Sequence, residues 1–150
     1  MLNNAAILIA EDEPIIGMAL TWAVSDAGGV VVGPAASVMA SLKLLETHSV
    51  SGAILDVNLT DGLVSPVVEY LMERKVPLII QTGIGIPDDL ARRFPDLVVR
   101  IKPNISDDLI KELAMMISQH QKSVPVTFPA PNLVDPGDTS MNDKSLGSPT

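Results

Sequence analysis

Four places in this 150-residue chain carry side chains that can do chemistry together. Glu11, Asp12 and Glu13 follow the apolar run Ala5–Ala10. Asp56 follows Gly52–Leu55, Thr82 stands two residues after Pro77–Ile80, and Lys102 stands directly after Leu97–Ile101 and before Pro103. Clustered carboxylates repel one another, and a hard divalent cation relieves the repulsion. Mg2+ prefers oxygen ligands and keeps several waters, so two or three carboxylates with a backbone carbonyl suffice. Beside such an ion an aspartate oxygen can attack phosphorus. A lysine ammonium neutralises one phosphoryl oxygen, and a threonine hydroxyl donates to another. Phosphoryl transfer asks mainly for positioning and charge stabilisation, and this set offers both.

Each residue alone has a plainer explanation. The acidic triplet suits the start of a helix, where the dipole favours negative charge. Asp56 and Thr82 suit turns, and Lys102 suits an exposed loop. Those explanations leave unexplained why all four places lie at the ends of apolar runs.

The runs themselves set the architecture. Ala5–Ala10, Val30–Val32, Gly52–Leu55, Pro77–Ile80 and Leu97–Ile101 are short and apolar, as buried parallel strands are. Between them, apolar residues recur at helical spacing: Ile15, Ile16, Ala19, Leu20, Ala23 and Val24, then Val38, Leu42 and Leu45, then Leu63, Val67 and Leu71. Pro14 suits a first helical turn, and Gly28-Gly29 ends the first helix. Pro87–Phe94 predicts a short fourth helix, and Leu109, Leu113, Met116 and Ile117 a fifth. Alternating strands and helices predict an α/β fold: a flavodoxin-like, doubly wound, five-stranded parallel sheet of order 2-1-3-4-5 with helices on both faces. Sites in such sheets form at the carboxyl ends of strands, which is where the reactive residues fall.

Composition narrows the classes. There are no cysteines, which excludes a disulfide framework, thiolate metal sites and a cysteine nucleophile. A net charge of −8 makes nucleic acid a poor partner. No basic leader and no long apolar stretch are present, so the expectation is a cytoplasmic protein with neither signal peptide nor membrane span. Residues 121–150 hold five of the twelve prolines among Ser, Asn, Asp and Gly, and are expected to form a disordered tail after a domain at 1–120. Gly83-Ile84-Gly85 does not complete a Gly-x-Gly-x-x-Gly motif, because Asp88 stands at the last position.

Over about residues 5–120, four motifs resemble the receiver domain of two-component response regulators. They are Ile7-Leu-Ile-Ala-Glu11-Asp12-Glu13-Pro14, Ala53-Ile-Leu-Asp56-Val-Asn58-Leu-Thr60-Asp61-Gly62, Pro77-Leu-Ile-Ile-Gln-Thr82-Gly83 and Arg100-Ile-Lys102-Pro103. The resemblance implies that Asp56 is the phospho-acceptor, Glu11 and Asp12 the acidic Mg2+ pair, and Asn58 the residue whose backbone carbonyl completes the metal site. It implies that Thr82 is the switch hydroxyl and Lys102 the phosphate-contacting lysine. The implied donor is the phosphohistidine of a sensor histidine kinase or phosphotransfer protein, and the implied output is an unidentified protein target. Such a chain is a phospho-acceptor that assists its own phosphorylation and dephosphorylation, rather than an enzyme.

The chain departs from the family pattern at named positions. Val99 stands three residues before the lysine, where Tyr or Phe is usual; Thr60 stands where Pro is common, and Gly83 where Ala is common. Gln81-Thr82-Gly83-Ile84-Gly85 looks like a subgroup with a Thr-Gly-aromatic-Gly run, associated with an atypical class of histidine kinases; Ile84 replaces the aromatic. The expected function is a stand-alone phosphorylation switch acting by protein contact or relay. With Val99 small, residues 83–94 are expected to carry the change. The alternatives are a constitutive receiver-like binding module and a haloacid-dehalogenase-like phosphatase; the latter would want an aspartate where Asn58 stands.

Overall fold

The structure is a computed structural model that describes residues 1–123. The expected tail at 121–150 lies outside the described residues from 124 onward. Strand β1 (Ala6–Ala10) leads to α1 (Pro14–Asp26), β2 (Val30–Ala35), α2 (Val38–Thr47) and β3 (Gly52–Asp56). A hairpin of β4 (Asn58–Leu59) and β5 (Gly62–Leu63) precedes α3 (Ser65–Glu73). Then come β6 (Leu78–Thr82), α4 (Asp88–Arg93), β7 (Val98–Ile101) and α5 (Ser106–Ser123).

The main sheet has five strands in the order β2-β1-β3-β6-β7, every neighbour parallel. This is the expected order, with the hairpin strands inserted in the count. Side chains alternate across each strand. Ile7, Ile9, Ile54 and Ile79 pack with Leu20, Val24, Leu109 and Leu113 of α1 and α5. Leu8, Ala53, Leu55 and Ile80 pack with Leu45, Val67, Leu71 and Leu90 of α2, α3 and α4. Each fully buried isoleucine or leucine contributes roughly 1.5–3 kcal/mol, so the two apolar layers fix the strand order and its register.

Local signals act as expected at the helix ends. Pro14 opens α1 without losing a needed donor, and Gly28 at φ +84° lets the chain leave it. Helix α4 is short, with Asp88 and Asp89 in its first turn and Arg92 and Arg93 in its last, which suits the dipole.

One expectation is corrected. The spacing of Leu63 predicts a place in the third helix, whereas it lies in β5 opposite Asn58. Gly62 at φ +140° reverses the chain there, and the helix starts only at Ser65 with Pro66 in its first turn.

Candidate functional site

Three of the expected residues meet directly at the carboxyl edge of the sheet. Lys102 Nζ lies 3.2 Å from Glu11 Oε1, 3.2 Å from Asp56 Oδ2 and 3.5 Å from Glu13 Oε2. Parallel pairing of β1 with β3 places the end of the first strand beside the end of the third, and β7 delivers Lys102 from the far edge. Lys102 is itself anchored, since its backbone N–H donates to the Thr82 carbonyl at 2.7 Å.

The carboxylates of Glu11, Asp12, Glu13 and Asp56 each offer an oxygen within 4.8 Å of the others. One ammonium faces four acids. Two like charges at such a separation repel by about 3 kcal/mol at an effective dielectric near 20. Either a proton or a cation must relieve that. Glu11 shows the first response: its carboxyl is raised to about 7, chiefly because burial disfavours the charge, with the Asp56 carboxylate adding to the effect. The Glu13 backbone N–H, donating to Glu11 Oε2 at 3.2 Å, works in the opposite direction. Burial works against the Lys102 charge, yet the Glu11 and Asp56 carboxylates more than offset it and hold Lys102 above the usual lysine range. An all-oxygen donor set without histidine or thiolate suits a hard cation such as Mg2+. Glu13 is the addition that sequence reading left out of the metal pair; it stands next in the acidic run and touches the lysine.

Asn58 opens β4, two residues after Asp56. The hairpin that carries it is fastened to the start of α2. Asp61 accepts from the Val38 N–H at 2.6 Å and the Met39 N–H at 3.0 Å, which holds its carboxyl below the usual aspartate range. Thr60 donates to the Ala36 carbonyl from its N–H at 3.0 Å and its hydroxyl at 3.1 Å. Proline at position 60 could not make the first of these bonds. Sequence reading noted Thr60 only as a departure and assigned Asp61 no role; a contact across 22 or 23 residues leaves no local signal.

Thr82 is buried at the end of β6, next to Gln81, which pairs with Asp56 across the sheet. Its hydroxyl is turned into the following loop. It donates to the Gly85 carbonyl at 3.0 Å and accepts from the Ile84 N–H at 3.3 Å. Gly85 at φ +94° makes that tight loop possible. Val99 is partly buried against the core layer of α2, α3 and α4. Ile84 is 85% exposed. Among the described residues no helix is long and apolar enough to cross a membrane.

Comparison with known proteins agrees with this fold. No family model matches the chain. The solution structure of SdrG from Sphingomonas melonis Fr1 is 36% identical, with a TM-score of 0.62, over 78% of this chain and 98% of that one. A CheY-like response-regulator receiver domain from Methanospirillum hungatei JF-1 superposes with a TM-score of 0.72 at 19% identity, over 80% of this chain and 98% of that one, and so speaks for the fold. The transcriptional regulatory protein PdtaR of Mycobacterium tuberculosis is 28% identical over 120 residues, 77% of this chain; the chain spans 58% of that protein's length. With the five-stranded order, the acidic edge and near-complete coverage of a 36%-identical relative, the chain belongs to the response-regulator receiver family.

Proposed function

We propose that Asp56 accepts a phosphoryl group from a phosphohistidine, on a sensor histidine kinase or phosphotransfer protein, in a Mg2+-dependent reaction. The carrying observation is that one lysine bridges Glu11 and Asp56 at 3.2 Å while the carboxylates of Asp12 and Glu13 crowd the same point. That is the charge pattern of a site awaiting a cation and a phosphoryl group.

The chain's own groups have separable tasks. An oxygen of Asp56 forms the new P–O bond as the P–N bond of the donor breaks. The donor ring, protonated on its other nitrogen, departs as neutral imidazole. Lys102 keeps the Asp56 carboxylate oriented and brings positive charge to the transferred oxygens. Glu11 and Asp12, with the Asn58 backbone carbonyl and Asp56 itself, would hold the metal, which supplies charge neutralisation at the phosphoryl oxygens. The fastening of the hairpin through Thr60 and Asp61 keeps Asn58 in place. The Thr82 hydroxyl would leave the Gly85 carbonyl to meet the new phosphoryl group, and output would follow through protein contact or relay.

Incubation of the full chain with Mg2+ and acetyl phosphate, followed by intact mass and peptide mapping, tests this. One phosphoryl group on Asp56 is expected, lost in Asp56→Asn, whose amide is nearly isosteric but a poor nucleophile. Modification of Asp56→Asn to the same extent overturns the assignment. The constitutive-module reading draws on one observation, that Thr82 is already satisfied within its loop and no aromatic stands at Val99. It predicts no change in partner affinity between parent and phosphorylated chain.

A further inference from the structure

Beside Lys102 and Glu13, a cavity of about 400 Å3 opens between α1, the end of β6 and the connection from β7 to α5. Its apolar lining comes from Ile15, Ile16, Ala19 and Pro103, Glu13 and Lys102 supply its charged groups, and Asn104 and Ser106 add polar ones at the start of α5. Gln81 also lines it. This glutamine is 4% exposed, yet its carboxamide has no hydrogen-bond partner among the described residues. A buried amide left unpaired costs about 1–3 kcal/mol, and native interiors rarely leave one so. A single water occupies roughly 30 Å3, far less than this space. Mostly apolar walls around a few fixed polar groups, in a volume within the roughly 300–1,000 Å3 of small-molecule sites, describe a ligand pocket.

We propose that this cavity binds a small neutral molecule with an aliphatic body and a carboxamide head. The head complements Gln81, which offers both a donor and an acceptor. An anionic head is disfavoured, because Glu13 lines the cavity and the Lys102 ammonium is already engaged by Glu11, Glu13 and Asp56. The aliphatic body packs on Ile15, Ile16 and Pro103. The inference does not depend on Asp56 being phosphorylated, although Lys102 forms a wall common to both places.

Isovaleramide titrated into isotope-labelled full chain is the probe, read by NMR at the Gln81 side-chain amide and the Ile15 and Ile16 methyls. Saturable shifts at all three are expected. Gln81→Leu should weaken binding about tenfold or more, the equivalent of one buried hydrogen bond, while melting at or above the parent temperature without ligand. Ala19→Leu, which fills the cavity from α1, should abolish the shifts and guards against a folding defect in the first variant. Isovalerate, of the same shape with a charged head, should bind about tenfold more weakly. Shifts that stay linear to the highest concentration, or that are unchanged in either variant, overturn the site. Equal binding of isovalerate overturns the neutral head. A lowered melting temperature of Gln81→Leu overturns the unpaired amide.

Discussion

Replacing Glu11 by Gln removes one charge from the acidic cluster with little change of shape, and its consequence depends on pH in a defined direction. In the folded chain the Glu11 carboxyl keeps its proton up to about pH 7, whereas in the unfolded chain it releases it near 4.5. Between those values the folded state binds more protons, so metal-free stability falls as pH rises through the window. A displacement from 4.5 to about 7 corresponds to a ceiling of about 3 kcal/mol. Because the acids adjust together and solvent screens part of the field, about 1–2 kcal/mol is the expected size. Glu11→Gln should therefore gain about 1–2 kcal/mol over the parent at pH 8 in EDTA, and nothing at pH 4.5. At roughly 3–6 °C per kcal/mol for a domain of this size, the difference is readable by thermal melting. Saturating Mg2+ should raise the parent's melting point more than the variant's, since the cation relieves the same repulsion. A parent whose stability in EDTA is flat or rising from pH 5 to 8, with Glu11→Gln parallel to it, would refute the reasoning.

Other perturbations separate the parts of the site. Asp12→Asn should weaken Mg2+ binding in titration calorimetry while leaving the Lys102 contacts with Glu11 and Asp56 intact, as seen in unchanged Lys102 NMR signals; unchanged Mg2+ affinity would remove Asp12 from the ligand set. Asp61→Ala should loosen both the start of α2 and the Asn58 hairpin, measured as faster amide exchange at Val38 and Met39. Because the Asp61 carboxyl is held low, its contribution is present above the ordinary aspartate pKa and is lost as pH falls through the lowered value, so parent and variant should converge at low pH in urea melts. Thr82→Val, which keeps the volume and removes the hydroxyl, should speed exchange at Ile84 and abolish further response of residues 83–94 to beryllofluoride. Shifts centred on Val99 instead would place the moving element elsewhere.

Legibility in the sequence followed the range of each interaction. The strands were readable because runs such as Ala53-Ile54-Leu55 are buried on both faces and need no alternation. The convergence of Glu11, Asp56 and Lys102 was readable because parallel topology brings strand ends to one edge whatever the side chains do. The hairpin after Asp56 was not. Leu63 keeps helical spacing with Val67, and only the positive φ of Gly62 and the distant fastening of Asp61 to α2 pull it out of the helix. Gln81 also escaped notice. On the sequence it is one polar residue closing an apolar run, and its significance comes from α1 and Pro103 closing around it without offering a partner.

On the proposed reading, the energetics of Thr82 limit what phosphorylation can accomplish by itself. Its hydroxyl must give up the Gly85 carbonyl, a neutral hydrogen bond contributing about 1 kcal/mol net, to gain a charge-assisted one contributing about 1.5–3 kcal/mol. The surplus is on the order of 1 kcal/mol, which shifts a two-state loop by roughly fivefold, whereas near-complete conversion from one state to the other asks for about 5.5 kcal/mol. An aromatic ring swinging into vacated core space could add to the surplus by burial. Val99, small, stiff at χ1 and already packed, adds little. The remainder must then come from whatever binds the altered loop. Ile84, 85% exposed between two glycines, has apolar surface to bury in such a contact. Phosphorylation thus acts as a bias on residues 83–86, and the partner's own binding energy completes the transition.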